Sequence, residues 1–288
     1  MTTTPTAATA GTVTIGNEYV VNRLGYGAMR LPGPGVWGEP AHPEEARAVL
    51  RCVVELGVNF LDTAVYYGPD VSNRLIAETL YPYPENLVIA TKVGARRNAD
   101  RSWTADMSPA SLRNAIETNL RQLRLEQIHL VHCRYMPDAD IPFADSVATL
   151  AEMQREGKIR HIGVSNVTLE QLKEAQAIIR VASVQNLYNL INREHEDLVD
   201  ACTTQHIPFM PFFPLAIGQL GQAGSPLEAM AQRYQTGPAQ IALAWLLARS
   251  PIMLPIPGTS SVQHAEENIA ATAIQLSPED FATLSNTK

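Results

Sequence analysis

Residues 44–68 read EEARAVLRCVVELGVNFLDTAVYYG and hold one complete structural unit. In Glu44–Leu56 the side chains of Ala46, Val49, Leu50, Val53 and Val54 share one face at helical spacing, with Pro43 at the start and Gly57 as the stop. Val58–Leu61 is a short apolar run of strand type, and it leads into Asp62, Tyr66 and Tyr67. The order is helix, glycine, strand, polar strand end.

That order recurs along the chain. Candidate strands are Val21–Gly25, Val58–Leu61, Leu87–Thr91, Ile128–Val131, Arg160–Val164, Ala182–Val184, Pro208–Pro211 and Ile252–Pro255. Between them lie helical patterns over Asp70–Leu80, Ala144–Glu156, Glu194–Gln205, Pro238–Ala248 and Val262–Ala271. Ser108-Pro109 opens another, with Leu112, Ala115, Ile116, Leu120 and Leu123 as its stripe, and Thr168 with Gln171 forms a capping box. Strand–helix alternation implies parallel strands with right-handed crossovers, and eight units in one chain favour closure. The expected fold is α/β, a (β/α)8 TIM barrel. It carries an N-terminal β-hairpin, Thr12–Val21 around Gly16-Asn17, and an extra C-terminal helix opened by Ser277-Pro278. No linker interrupts it, so residues 12–288 form a single domain, and the Thr/Ala-rich residues 1–11 are expected to be a flexible tail.

With 288 residues, length alone allows two ordinary domains or one such barrel. The charge of −7, from 22 basic against 29 acidic residues, argues against nucleic acid or an anionic membrane as the main partner. Three cysteines, Cys52, Cys133 and Cys202, make no disulfide framework and suit a reducing compartment. No apolar run reaches the ~18 residues of a spanning helix, and the N-terminus lacks a signal-peptide pattern. A soluble, cytoplasmic protein is expected, and a monomer is compatible with all of this.

Barrels of this kind carry their chemistry at the C-terminal strand ends. Here those ends are Asp62 to Gly68, Lys92, His132-Cys133, Ser165-Asn166 and Gln185-Asn186. A phenol is a reluctant proton donor, and a nearby ammonium is expected to lower the pKa of Tyr67. A carboxylate, Asp62, would hold Lys92 in place, and His132 would orient a carbonyl oxygen. Each residue also has a plain reading. Asp62 can cap a turn, Lys92 can be a surface lysine, Tyr67 a core aromatic and His132 a hydrogen-bonded structural histidine. Their joint occurrence on successive strand ends is what favours chemistry.

At these residues the sequence resembles the aldo-keto reductases, which are NAD(P)H-dependent barrel enzymes. Four stretches carry the resemblance, which spans about Val21 to Ala271. They are Leu61 to Gly68, Ile89 to Lys92, Gly157-Lys158-Ile159-Arg160-His161-Ile162-Gly163-Val164-Ser165-Asn166, and Ile256 to Ser261 followed by Glu267-Asn268. The run Asn22 to Met29, Ala95-Arg96-Arg97 and Phe212-Phe213-Pro214-Leu215 look most like a bacterial subgroup that includes pyridoxal reductases. The resemblance implies that Tyr67 is the general acid, tuned by Lys92 and Asp62, with His132 orienting the carbonyl. It implies that Ser165, Asn166 and Gln185 hold the nicotinamide and that Phe212 stacks on it. Gly27, Ala28, Met29, Asp62, Phe213, Pro214 and Leu215 would line the cofactor path, with Gly218, Gln219 and Leu220 over the pyrophosphate. Gly258, Thr259, Ser260, Ser261, His264, Glu267 and Asn268 would surround the adenosine end. The family's usual Ser is replaced by Phe213, its Lys in the adenosine loop is missing, and His264 stands where Arg is common. Hydroxyls, His264 and the N–H groups at the Val262 helix start are expected to take a 2′-phosphate, so NADPH is the expected cofactor, with NADH as the alternative.

The expected reaction is reduction of a small-molecule aldehyde or ketone. Little chain follows the terminal helix, so the mouth is expected to be open, formed by Trp37, Tyr66, Trp103 and the loop from Arg134. Those aromatic rings suit a flat or aromatic aldehyde such as a pyridoxal. Arg134 is available to an anionic group or, on base rate, faces solvent. The alternative function is a cofactor-binding sensor of the same fold. Two further signals fail. Gly33 to Gly38 matches G-x-G-x-x-G, but Pro34, Pro40 and Pro43 prevent a helix from starting at the glycines. His129-x-x-His132 hints at zinc, yet on a strand those positions face opposite ways.

Overall fold

The computed structural model describes residues 4–216 and 226–286. Strands β1 (Thr12–Ile15) and β2 (Tyr19–Asn22) form an antiparallel hairpin. The parallel barrel sheet follows: β3 (Tyr26–Gly27), β4 (Phe60–Asp62), β5 (Val88–Arg97), β7 (Ile128–Arg134), β8 (Ile159–Ser165), β9 (Val181–Leu187) and β10 (Phe209–Phe212), adjacent in that order. β6 (Trp103–Asp106) pairs antiparallel with the far end of β5. Helices α1 (Pro43–Glu55), α2 (Val71–Leu80), α3 (Pro109–Leu123), α4 (Phe143–Arg155), α5 (Leu169–Gln176) and α6 (Glu196–Thr204) occupy the crossovers. α7 (Pro226–Arg233), α8 (Pro238–Arg249), α9 (Val262–Ala270) and α10 (Pro278–Ser285) complete the order.

The start signals do what their chemistry predicts. Ser108 and Ser277 accept from the backbone N–H groups of Ser111 and Asp280, and the Thr168–Gln171 box is formed in both directions. Four expectations are corrected. The first barrel strand is Tyr26–Gly27, because Val20, Val21 and Asn22 pair with β1 instead. Ile252–Pro255 is not a regular strand but a turn followed by a single bridge at Met253, since Pro251, Pro255 and Pro257 have no N–H to give a ladder. That segment still closes the barrel: Phe209 N–H donates to Ile252 O (3.0 Å) and Gly25 N–H to Pro255 O (2.9 Å). The expected loose tail is packed from Thr6 onward. Ala7–Ala10 forms a 3-10 turn, Ala7 is fully buried, and its N–H donates to Leu56 O at 2.9 Å. Finally, β5 outruns its expected end by six residues to hairpin with β6, and α7 joins the expected set.

Two cores result. The larger lies between the sheet and its helices and includes Val49, Leu50, Ile89, Val131, Ile162 and Trp245. The smaller fills the barrel, where Phe60, Val88, Ala90, Leu130, Ala182 and Met210 meet Val13, Ile15 and Val21 of the hairpin. The hairpin therefore floors the barrel. Strand side chains alternate, so the next inward positions are Asp62 on β4, Lys92 on β5 and His132 on β7. A bulge between β8 and β9 sets the inward register of Ser183 and Gln185.

Candidate active site

Above the apolar floor, polar groups are buried together. Lys92 Nζ donates to Asp62 Oδ2 (2.5 Å) and to Thr63 O (3.1 Å), while Gln185 Nε2 donates to Asp62 Oδ1 (2.9 Å). One carboxylate thus anchors residues from two other strands. Lys92 Nζ also lies 4.9 Å from the centre of the Tyr67 ring. Tyr67 sits in the turn after β4 and lines a cavity of about 510 Å³.

That cavity is lined by Asp62, Tyr66, Tyr67, Lys92 and Gln185 at its floor. Trp103, Arg134, Phe212 and Phe213 are among its sides, and Gly27, Met29, Pro214, Leu215 and Gly258 also border it. Tyr66 meets Tyr67 and Trp103 edge-on, each with ring centres 5.4 Å apart.

The electrostatics reverse one expectation. Burial holds the Tyr67 hydroxyl above the ordinary phenol range, Asp62 adds to that, and Arg134 opposes it. Lys92 does not pull the phenol down, because Asp62 neutralises its ammonium at 2.5 Å and burial penalises phenolate. Tyr67 is therefore a protonated donor at neutral pH.

His132 stands apart from the cavity wall that the sequence assigned to it. Its ring is fully buried and its Nε2 pairs with Ser183 Oγ at 2.9 Å. Gly163 of β8 lies between them. A Cβ there would stand 2.7 Å from His132 Cδ2 and 2.5 Å from Ser183 Oγ, so only glycine leaves the ring room to cross. Burial, helped by Lys92, pushes the His132 pKa down to about 3, and the imidazole is neutral. His129 diverges from it and packs edge-on against Tyr19, with ring centres 5.4 Å apart. Among the described residues no cluster of three His, Cys, Asp or Glu side chains is placed to hold a metal ion.

The cofactor set is brought together in part. Ser165 Oγ and Gln185 Oε1 are buried and have no partner among the described residues. Asn166 is adjacent, but its Nδ2 is spent on Tyr135 O at 3.0 Å. Gly27 and Gly258 approach so closely that a Cβ on Gly258 would meet Gly27 O at 2.5 Å. A cavity with an orphaned amide oxygen at Gln185, an aromatic wall at Phe212 and bare backbone at Gly27 and Gly258 fits a flat carboxamide-bearing ring and its attached phosphates. Ala28 lies in a 3-10 turn with Met29 and Arg30. Ser260 and Ser261 line a second hollow of about 470 Å³ with Met29 and Arg30. Ser261 caps α9, and Thr259 Oγ1 accepts from Ser261 N–H at 3.1 Å. His264 and Glu267 are exposed on α9, Glu267 accepting from Gln263, and Asn268 is buried. Gly218, Gln219 and Leu220 lie outside the described residues.

Two placements escaped sequence reasoning. Arg30 borders both hollows, and its Cγ lies 3.5 Å from where a Cβ on Gly258 would be. It supplies a cation beside the loop that lacks the family's usual Lys, a relation across 228 positions that no local pattern reveals. Trp37 does not reach the cavity. Arg97 stands between it and Trp103, 5.4 Å and 4.3 Å from the two ring centres, and bonds to Gly35 O and Val36 O. The Gly33–Gly38 loop is tied by Gly33 N–H to Gly38 O, and the helix that follows it begins only at Pro43.

Comparison with known proteins agrees with this geometry. The model of the aldo/keto reductase family matches residues 23–287. The chain is similar to pyridoxine 4-dehydrogenase of Escherichia coli, 46% identical over 280 residues that cover 96% of this chain and 97% of that one. It is equally similar, at 46% identity over 278 residues, to an uncharacterized oxidoreductase of Schizosaccharomyces pombe, covering 96% and 90% of the two chains. An aldo-keto reductase from Klebsiella pneumoniae solved with NADPH superposes with a TM-score of 0.81 at 28% identity, covering 95% and 93%. No helix among the described residues is long and apolar enough to cross a membrane.

Proposed function

The chain belongs to the aldo/keto reductase family, and on that premise we propose that it reduces an aldehyde or ketone to an alcohol with NADPH, using Tyr67 as the proton donor. The observation that carries this reading is the buried run Gln185–Asp62–Lys92 under Tyr67 at the floor of a cavity.

When bound, NADPH supplies the hydride. Phe212 and Gln185 line the cavity, where Phe212 would offer a ring face to nicotinamide and Gln185 Oε1 a hydrogen bond to its carboxamide; Ser165 Oγ, buried and unpartnered, would be a second group for it. Asp62 sets the Gln185 amide, since it holds the Nε2 end. Arg30, Ser260, Ser261 and the N-terminal end of α9 are placed for phosphate oxygens. Tyr67 donates its hydroxyl proton to the carbonyl oxygen. The ammonium of Lys92 stands by its ring to stabilise the phenolate left behind. Neutral His132 acts through the protein and not on the substrate, as a positioning residue beside Lys92.

The relative that acts on pyridoxine and the aromatic sides of the cavity favour a flat aldehyde of the pyridoxal type. Three free cysteines, two of them buried, fit a reducing compartment, and we place the protein in the cytoplasm. The test is a carbonyl panel of pyridoxal, benzaldehyde and an aliphatic aldehyde, run with NADPH and NADH separately. Consumption of NADPH with an aromatic aldehyde is expected. Preference for NADH would overturn the cofactor assignment, and inertness toward every carbonyl would overturn the reaction.

A further inference from the structure

We propose that the cavity selects an aromatic aldehyde carrying an anionic ring substituent, and that Arg134 is the residue that reads this charge. The proposal rests on the carbonyl-reductase reading for its aldehyde and on the following geometry for its anion.

Arg134 ends β7, two residues beyond His132, and lines the cavity. It is half-buried, and its Nε is sealed from solvent with no hydrogen-bond partner among the described residues. Its guanidinium carbon lies 5.7 Å from the centre of the Phe212 ring. Tyr66 OH, buried on the same cavity, likewise has no partner. Both residues line the cavity, and neither of these donors has a protein acceptor among the described residues. A buried donor left unpaired is costly, and a cationic one more so.

Two carboxylates of this region are engaged elsewhere. Asp62 is held by Lys92 and Gln185, and Asp138, on the loop after β7, accepts from Ala105 N–H at 3.1 Å. Residues 217–225 contain no Asp or Glu. A ligand must then bring the acceptor, and a guanidinium fork suits a carboxylate, a phenolate or a phosphate. The rings of Tyr66, Trp103 and Phe212 supply flat apolar contact for the rest of that ligand.

The experiment uses the whole protein, with Arg134→Gln and Arg134→Lys variants. Benzaldehyde is compared with 2-, 3- and 4-carboxybenzaldehyde at saturating NADPH, NADPH binding is measured by fluorescence, and benzoate binding is measured by competition or calorimetry. The wild type is expected to favour at least one carboxy isomer over benzaldehyde by tenfold or more in kcat/KM. In Arg134→Gln that isomer is expected to lose about 30-fold, mostly in KM, while benzaldehyde changes less than fivefold and NADPH affinity is kept. Arg134→Lys is expected to recover part of the loss. An equal fall for neutral and charged aldehydes, or a wild type indifferent to the carboxylate, overturns the proposal. The benzoate arm is independent of turnover. Equal benzoate affinity in wild type and Arg134→Gln overturns the anion site even if no aldehyde is reduced, whereas inactivity with Arg134-dependent benzoate binding overturns only the reaction.

Discussion

Lys92 Nζ stands 2.5 Å from Asp62 Oδ2, with both side chains all but sealed from solvent. A buried ion pair is weak support for stability as such, but halving it is costly, because the surviving charge has no water and no counter-ion. Asp62→Asn is expected to destabilise the protein by about 3–5 kcal/mol in urea unfolding. Asp62→Leu combined with Lys92→Met, which removes both charges, is expected to recover much of that loss while abolishing turnover. A double variant no more stable than the single one would show that the unpaired charge is not the cause.

Tyr67→Phe keeps the ring against Tyr66 and Lys92 and removes only the hydroxyl. Loss of a positioned general acid costs about 10²–10⁴ in rate. Turnover is expected to fall by that amount, with NADPH affinity within threefold of wild type. Because burial and Asp62 raise the Tyr67 pKa above the usual phenol value, the acid form persists well past neutrality. The rate of reduction is then expected to show no fall between pH 7 and 9 that Tyr67 deprotonation would cause. Near-normal turnover in the variant would remove Tyr67 from its role.

The barrel was legible because each unit repeats a helix stop, a short apolar run and a polar strand end, and Asp62, Lys92 and Tyr67 sit on such ends. What stayed hidden has physical causes. Tyr19–Asn22 and Tyr26–Gly27 belong to different sheets, yet Val21 to Gly25 between them reads as one strand, and only tertiary pairing assigns Val21 and Asn22 to the hairpin. Pro251, Pro255 and Pro257 remove ladder donors from a segment whose composition otherwise says strand. The α7 stripe of Leu227, Met230 and Ala231 after Pro226 is only three residues, so its helical spacing is a faint signal. Alternation placed His132 inward correctly, but its engagement with Ser183 depends on the absence of a side chain at Gly163, on a different strand.

His132 links stability to pH. Its folded pKa is pushed down to about 3, below the ordinary 6.5, chiefly by burial. Below pH 6.5 the unfolded chain therefore binds a proton that the folded one refuses. Stability from this group is complete above pH 6.5 and is lost as pH falls toward 3. Between pH 6.5 and 5 the loss is about 2 kcal/mol, at 1.36 kcal/mol per unit. Urea titrations of wild type and His132→Asn at pH 7, 6 and 5 are expected to show the gap between the two proteins shrinking by that amount. A constant gap would mean that the imidazole is charged when folded or is not buried as described.

Arg30 is exposed at the end of a turn anchored by buried Ala28, so its substitution separates ligand binding from folding. It borders both hollows, next to Gly258 and in company with Ser260 and Ser261. An anionic dinucleotide must bind here against a net charge of −7, which makes each placed cation count. Arg30→Gln is expected to weaken NADPH about tenfold by fluorescence titration, roughly one charge-assisted hydrogen bond, with unchanged thermal stability. NADH is expected to weaken less, since it lacks the 2′-phosphate, and added salt is expected to narrow the difference between wild type and variant. Equal loss for both dinucleotides would move Arg30 from the 2′-phosphate to the pyrophosphate. No loss for either would leave Ser260, Ser261 and the α9 N-terminus to hold the phosphates without a side-chain cation from this turn.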